Sequence, residues 1–558
     1  MNSFRGLPAD YEINFNKKSH LNDSAALIEP TCLVGLNGSG KSNLLEVLAE
    51  IFFYLENYCS ADRHTNHVIS RFKNFPDFEL QYFVSSKQLL QYLSEDQEVR
   101  AVISRLKDEV KVLIFVTKDS DHTQVKAFVD GQHYSLKNDP AALPTRVIGY
   151  SSGMNELISN PFIKIDFQYL SEMLEKRNNS TSSSLVMNRM FYLNYDSNKY
   201  ITIANFLFDS DDFSMEGYDE TSTPSDFGGI NLRYLKTETG IQDLNFFTLN
   251  LRLEKSAETN ANYLSSALNL VLEKFKACST FYEANERETK TKSNKELTYK
   301  FWVNSATKAA FRNEFKTAYE LYKAFYFLEL LNLELVSKTT RDNILGANCD
   351  DQENLSEELP RFEKQKLKFY LSQIKLEKDD GVEIDYRKLS DGEHQLLQVI
   401  GSLLLMDKEG ALFLYDEPET HFNPDWRSKF VQLINNSVDK SREQEIILTT
   451  HSPFIISDCK KENVYIFQRD SEGNVLPPIN PEVKTFGTSV SILTDEIFGK
   501  SETVSNMSLS VIKDIRSEAS NSLEDLEKAK RKIRKLGESP EKILLYSDLL
   551  TIEKNLKD

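Results

Sequence analysis

The chain has 558 residues, 40% of them hydrophobic and 27% charged, which is enough material for about two to four domains with a large core. Its formal net charge of −18 argues against generic adhesion to nucleic acid or to anionic membranes, so any such contact needs a local basic patch. No apolar run is long enough to cross a bilayer, and the stretch Met1 to Pro8 lacks the apolar core of a secretion signal.

Residues 1–156 open with strand-like material at Tyr11 to Phe15 and Thr31 to Gly35. The second strand runs into Gly35-Leu-Asn-Gly-Ser-Gly-Lys-Ser42, which reads G-x-x-x-x-G-K-S, and an apolar run with helical spacing follows from Asn43. Strand, glycine loop and helix form the context of a phosphate-binding loop. The glycines let backbone N–H groups turn inward around a phosphate, and the helix N-terminus adds positive potential. Asn37, Gly38, Ser39, Gly40, Lys41, Ser42 and Asn43 are therefore the candidate ATP contacts, with Lys41 reaching the β- and γ-phosphates and Ser42 holding Mg²⁺. At average residue frequencies the four fixed positions occur by chance in only about 2% of chains this long, which disfavours an ordinary glycine turn.

Alternating runs predict strands at Phe78 to Val84, Val112 to Val116 and Gln124 to Val129, and Asp130-Gly131 marks a hairpin into His133 to Leu136. Arg146 to Gly153 reads as a strand ending in a loop. Residues 157–380 carry no chemical motif. The polar tract Asn178 to Ser184 and the stretch Asp209 to Gly229 read as loops, and helical periods dominate from Asn260 to Leu333. We expect a mostly helical insertion whose aromatics Phe311, Phe315, Tyr319 and Tyr322 form its core; the rival reading is a base-stacking surface. There are no sustained heptads and no internal repeat.

Residues 381–485 return to alternating strand and helix. Leu389-Ser-Asp-Gly-Glu-His-Gln395 precedes a helix from Leu396 to Met406, with Ser390 and Glu393 spaced as a capping box. Ala411-Leu-Phe-Leu-Tyr-Asp-Glu-Pro418 is an apolar strand ending in two acids: Asp416 can hold Mg²⁺ opposite Ser42, and Glu417 can orient or deprotonate an attacking water. Ile446-Ile-Leu-Thr-Thr-His451 is another apolar strand, and His451 at its end can bond a γ-phosphate. Residues 486–558 read as a helical tail, with six cations between Lys528 and Lys535 that form either a solvated helix face or a strip for nucleic acid. Cys32, Cys59, Cys278, Cys349 and Cys459 lie far apart, which disfavours a zinc knuckle and suits reduced thiols in a cytoplasmic protein.

The set L-S-x-G-E-x-Q, D-E-P-E-T-H-F-N-P and T-H-S-P resembles ABC-type ATPases of the RecF, SMC and OLD branch. The resemblance implies an α/β, ABC/SMC-like P-loop nucleotide-binding head with an antiparallel β subdomain, split into 1–156 and 381–485 by the insertion. It implies an ATPase using ATP and Mg²⁺ that closes as a dimer. Ser390 and Gly392, with Glu393, would then meet the γ-phosphate held by the phosphate loop of a second copy, and His451 would be the switch histidine. Asn423 stands where the family's D-loop acid usually lies, and Asn155 or Glu156 falls where its glutamine loop should be. No appended nuclease centre and no long coiled-coil arms are found. The phrases Tyr150-Ser-Ser-Gly-Met-Asn-Glu156, Phe191-Tyr-Leu-Asn-Tyr-Asp-Ser197 and Phe486-Gly-Thr-Ser-Val-Ser resemble the PtuA defence ATPases of Septu and retron systems. That likeness implies a cytoplasmic anti-phage role, a homo-oligomer, a separate HNH-type nuclease partner (PtuB-like), and in retrons a reverse transcriptase with its DNA–RNA product. The alternatives are a RecF-like DNA-repair ATPase and an ATP-clamped scaffold with little turnover.

Overall fold

A computed structural model describes residues 6–15, 30–59, 75–93, 97–106, 110–119, 122–136, 139–153, 157–175, 189–212, 229–256, 264–288, 292–347, 354–406, 410–438, 444–519 and 522–557. Six parallel strands drawn from both ends of the chain make the central sheet. Their order is β15 (Val464–Phe467), β1 (Thr31–Gly35), β14 (Glu445–Thr449), β13 (Ala411–Asp416), β6 (Arg146–Ser151) and β7 (Met190–Tyr192). A parallel sheet covered on both faces needs apolar side chains at consecutive positions, which is why Leu412-Phe-Leu-Tyr415 and Ile446-Ile-Leu448 are unbroken apolar runs.

Alternate residues of each strand feed two separate cores. Leu33, Val147, Leu412, Leu414 and Ile447 pack with Leu44, Leu45, Leu48 and Phe52 of the helix Lys41–Cys59. Val34, Ile148, Phe413, Tyr415 and Leu448 pack with Leu396, Val399, Ile400 and Leu403 of the helix Asp391–Leu405. The sheet is thus sandwiched between the helix that follows the glycine loop and the helix that follows Leu389-Ser390.

The expected antiparallel subdomain is a four-stranded meander, β2 (Phe78–Ser85), β3 (Lys111–Asp119), β4 (His122–Val129) and β5 (Gln132–Ser135), with Asp130 and Gly131 both at positive φ in its last hairpin. A second antiparallel sheet has the order β12 (Glu383–Asp385), β11 (Phe369–Lys378), β8 (Ile241–Ser256), β10 (Lys292–Trp302) and β9 (Phe281–Glu288).

One sequence expectation needs correction and two need refinement. Tyr11 to Phe15 forms no strand; Tyr11, Ile13 and Phe15 only rest on the core beneath the glycine-loop helix. The stretch Asn260 to Leu333 is not uniformly helical, because β9 and β10 form a hairpin within it. Strand β9 is exposed along nearly its whole length, so it shows no apolar alternation. Among the described residues, 157–380 hold more helix than strand, yet they are joined to the head rather than set apart from it. Their strand β7 extends the parallel sheet, and their helix Tyr195–Leu207 clamps the helix Asp391–Leu405. There Asn198 Nδ2 donates to the His394 carbonyl at 2.9 Å, Asn205 Nδ2 to the Gly401 carbonyl at 3.0 Å, and Gln398 Nε2 to the Asn194 carbonyl at 2.8 Å.

Phe311, Phe315 and Tyr322 are fully buried, and Tyr319 lies under the Arg146 guanidinium, so these aromatics are core rather than a stacking surface. The tail is helical, with Val490–Phe498 on the main core through Leu493 and Ile497. Asn506–Glu518, Leu523–Ile533 and Pro540–Lys557 form a bundle closed by Ile512, Ile515, Leu526, Ile533, Leu545 and Leu549. Of the basic run, Lys528 pairs with Glu524 and Asp525, Lys530 with Glu527 and Glu553, and Lys532 with Glu518. Half of its charge is therefore neutralised within the bundle, as on a solvated helix. The tract Asn178 to Ser184, most of Asp209 to Gly229, Cys349, Asn155 and Glu156 lie outside the described residues.

Candidate nucleotide site

All six parallel strands end on one edge, which is where such sheets place their ligand sites. The loop after β1 turns through glycines held at positive φ, two of them in close contact with neighbours. At Gly35 (φ +142°) an added Cβ would lie 2.4 Å from the Phe467 carbonyl oxygen, and at Gly40 (φ +103°) 2.8 Å from a Val475 methyl. The loop closes with Ser39 N donating to the Leu36 carbonyl at 3.2 Å, and the helix begins at Lys41. Asn37 and Gly38 form its exposed crest, Ser42 and Asn43 are half-buried on the first turn, and Arg469 reaches over to hydrogen-bond the Gly38 carbonyl.

Lys41 is buried. Its Nζ donates to the carbonyls of Gly35 and Leu36, at 3.1 Å each. Burial pulls its pKa down, and the nearby Glu417 and Asp416 pull it back up. The lysine is thus parked inside the loop that an anionic phosphate would fill.

Opposite stands Asp416, at the tip of β13. Register alone sets its neighbours: Thr449 of β14 lies beside it on one side and Ser151 of β6 on the other. Its carboxylate accepts from Thr449 Oγ1 at 2.6 Å, from Ser42 Oγ at 2.8 Å and from Ser151 Oγ at 3.3 Å. Burial raises the Asp416 pKa, and the hydroxyl donors oppose that rise. A carboxylate and a hydroxyl converging at 2.8 Å are hard oxygen donors of the kind Mg²⁺ takes. The donor set therefore fits the expected magnesium at Ser42 and Asp416.

Glu417 holds a positive φ of +50°, rare for a residue with a side chain and a mark of a functionally constrained backbone. Its amide donates to Thr449 Oγ1 at 2.9 Å, and its carbonyl accepts from Thr420 Oγ1 at 3.0 Å. Its carboxylate lies 3.4 Å from His451 Nε2. That bond, more than any other influence, lowers the Glu417 pKa, so the group is a carboxylate at neutral pH. Glu417 and His451 are each about a third or more exposed, which leaves them open to a substrate.

The structure forms the capping box in full. Ser390 Oγ accepts from the Glu393 amide at 3.2 Å, and Glu393 Oε2 accepts from the Ser390 amide at 2.8 Å. Glu393 also pairs with Lys378, so both its oxygens are used inside the chain and its role is to hold this turn. Ser390 stays exposed at the helix tip. Gly392 is needed for close approach, since a Cβ there would lie 2.9 Å from the His421 carbonyl oxygen and 3.0 Å from the Trp426 ring. Gln395 ties the same helix to the acidic loop: its Nε2 donates to Tyr150 Oη at 3.0 Å, and its Oε1 accepts from the His421 amide at 2.8 Å. Asn423 caps the next helix by accepting from the Trp426 amide at 2.8 Å.

The structure thus gathers Lys41, Ser42, Asp416, Glu417 and His451 on one edge, with Ser390 and Gly392 on a helix tip braced against the same acidic loop. Sequence reasoning missed Ser151, Thr449, Thr420, Glu419 and Gln395. For Ser151 and Thr449 the paired hydroxyls Ser151-Ser152 and Thr449-Thr450 at strand ends were the only signal, given meaning by strand register, whereas Thr420, Glu419 and Gln395 stood inside quoted motifs without a role of their own.

Residues 205–457 match the family described as "AAA domain, putative AbiEii toxin, Type IV TA system". The match takes in Ser390, Asp416, Glu417 and His451 and begins after the glycine loop. A stretch of 119 residues is 30% identical to protein ea59 of Escherichia phage lambda, covering 21% of this chain and 22% of that protein. Another of 132 residues is 30% identical to the Septu protein PtuA of Bacillus thuringiensis, covering 23% of this chain and 30% of that protein. The chain thus spans less than a third of the length of either relative. Among the described residues no helix is long and apolar enough to cross a membrane. The phosphate loop and the matched domain meet at one site, and the chain carries an AAA-type domain over residues 205–457 with a partial similarity to PtuA.

Proposed function

We propose that the chain binds and hydrolyses ATP at sites completed between two copies, and that this cycle governs a separate HNH-type nuclease in an anti-phage defence system. The observation that carries the reading is the convergence of Ser42, Thr449 and Ser151 on Asp416, beside the strained Glu417 and its contact with His451. The likeness to PtuA supports the defence setting and the nuclease partner.

On this reading Lys41 leaves the carbonyls of Gly35 and Leu36 for the β- and γ-phosphates, while inward N–H groups of residues 38–43 cradle the β-phosphate. Ser42 and Asp416 would hold Mg²⁺, which would neutralise phosphate charge. Glu417, a carboxylate at neutral pH, orients the attacking water and accepts its proton. His451, bonded to Glu417, bonds the γ-phosphate and registers its departure. The exposed tip at Ser390, a capped helix N-terminus with Gly392 behind it, is a ready anion site for the γ-phosphate of the facing copy. Residues 468–558, after β15, carry no D-x-D, and on this reading cleavage belongs to the partner.

Two substitutions test the assignment. Glu417→Gln should retain ATP while losing about 100-fold or more in turnover, as expected when a positioned base is removed. Lys41→Ala should weaken binding itself by about 10- to 100-fold, the worth of a charged hydrogen bond. Phosphate release that persists unchanged in Glu417→Gln would overturn the role of Glu417.

A further inference from the structure

Between the acidic loop and the exit of β14 lies a second polar contact that ATP chemistry does not itself require. Glu419 is only 4% exposed, deeper than Glu417 two residues before it. Its Oε1 accepts a hydrogen bond from Thr450 Oγ1. Its Oε2 is buried and has no hydrogen-bond partner among the described residues. Thr450 is itself a hub. Its hydroxyl accepts from the Ser452 amide at 2.9 Å, and its own amide donates to the Leu33 carbonyl of β1 at 3.1 Å. The Glu419 backbone is also tied down: its carbonyl accepts from the Phe422 amide at 3.0 Å and from Arg427 Nε at 3.4 Å.

These bonds join three segments that each carry site residues: β1 before the phosphate loop, the loop with Glu417, and the turn with His451. A carboxyl buried with one oxygen unsatisfied costs stability that an apolar side chain of similar size would not. A costly group in that position, touching the residue next to the switch histidine, marks a functional device.

We propose that Glu419 is a positioning residue for hydrolysis: through Thr450 it locks the loop bearing Glu417 to the turn bearing His451. The lock fixes the Glu417–His451 contact from behind, on the side away from solvent. Among the described residues no hydrogen bond of Glu419 or Thr450 reaches residues 36–42 of the phosphate loop, so loss of the lock should affect the chemical step and spare binding. The proposal rests on the ATPase reading above.

The test measures steady-state ATP turnover and the affinity for a fluorescent ATP analogue in the full chain, for Glu419→Ala, Thr450→Val and Glu419→Gln. Glu419→Ala and Thr450→Val should each lower kcat by about 10- to 100-fold, the cost of misplacing a catalytic group by a fraction of an ångström to an ångström, with nucleotide affinity within about twofold of wild type. Glu419→Gln keeps an acceptor for Thr450 and should restore most of the kcat that Glu419→Ala loses. Thr450→Ser, which keeps the hydroxyl, should likewise restore what Thr450→Val loses. The lock is refuted if Glu419→Ala and Thr450→Val keep wild-type kcat, or if kcat and affinity fall together and neither conservative variant restores them. Two controls separate the readings: a wild-type chain that releases no phosphate from ATP condemns the ATPase reading, whereas loss of turnover in Glu417→Gln beside an active Thr450→Val condemns only the lock.

Discussion

Replacing Glu419 by glutamine changes how stability depends on pH, and the structure sets the sign and size of the change. Burial pushes the Glu419 carboxyl from an ordinary 4.5 up to about 7, with the Thr450 hydroxyl opposing and Glu417 reinforcing the rise. Arg427, whose guanidinium bonds the Glu419 and Thr420 carbonyls, is the cation that faces it; Thr450 and Ser452 are uncharged, and His451 is engaged with Glu417. Below pH 4.5 the group is protonated in both folded and unfolded chains and contributes nothing to the pH slope. Between 4.5 and about 7 the unfolded chain releases the proton while the folded chain keeps it, so stability falls as pH rises. Above about 7 both forms are charged and the penalty is constant. At 1.36 kcal/mol per unit the whole loss is about 3 kcal/mol. Glutamine has the shape of the neutral acid and no such titration. Urea unfolding followed by far-UV circular dichroism, from pH 4 to 9, should therefore show Glu419→Gln gaining on wild type through that window. The difference should level off at about 3 kcal/mol. Other titrating groups, including the buried Asp166, which is also raised to about 7, cancel in the difference curve. A flat difference, or one that shrinks as pH rises, would refute a neutral buried carboxyl at this position.

Two further substitutions probe the close approaches. Gly392→Ala drives a methyl toward the His421 carbonyl and the Trp426 ring, so it should cost about 1–3 kcal/mol in urea unfolding and reduce turnover by separating the Ser390 helix from the acidic loop. Gly40→Ala forces a side chain onto a positive φ and into Val475; calorimetric titration with ATP should show weakened binding, and adding Val475→Ala should restore only part of it, because the backbone strain remains.

What the sequence revealed depended on whether the chemistry was local. The glycine loop, the strand tip at Asp416-Glu417, the capped turn at Ser390 and the His451 turn each lie within one short segment whose residue types have few other uses. They were legible, as were the buried strands β1, β13 and β14, whose apolar runs follow from burial on both faces. What depended on pairing across the sheet was not legible. Thr449 and Ser151 flank Asp416 only because β14, β13 and β6 align in one register. Gln395 reads as an ordinary helix residue until its amide is seen between Tyr150 and His421. Strand β9 was hidden for the opposite reason: an exposed edge strand buries nothing, so Glu283, Glu286 and Glu288 carry no periodic signal. The buried acid at Glu419 was masked by its place in an acidic motif, where a second glutamate looks like solvated surface.

The central claim is that a complete triphosphate site needs Lys41 from one copy and Ser390 from another. Mixing two inactive variants tests it. Lys41→Ala removes the phosphate lysine, and Ser390→Arg blocks the helix tip. Each homodimer has two broken sites, but a mixed dimer has one site with Lys41 from one chain and Ser390 from the other, both intact. An equimolar mixture should therefore recover about a quarter of wild-type ATP turnover, from half the dimers each with one of two sites working. A mixture as inactive as its two components, from variants shown to exchange subunits, would contradict the shared site.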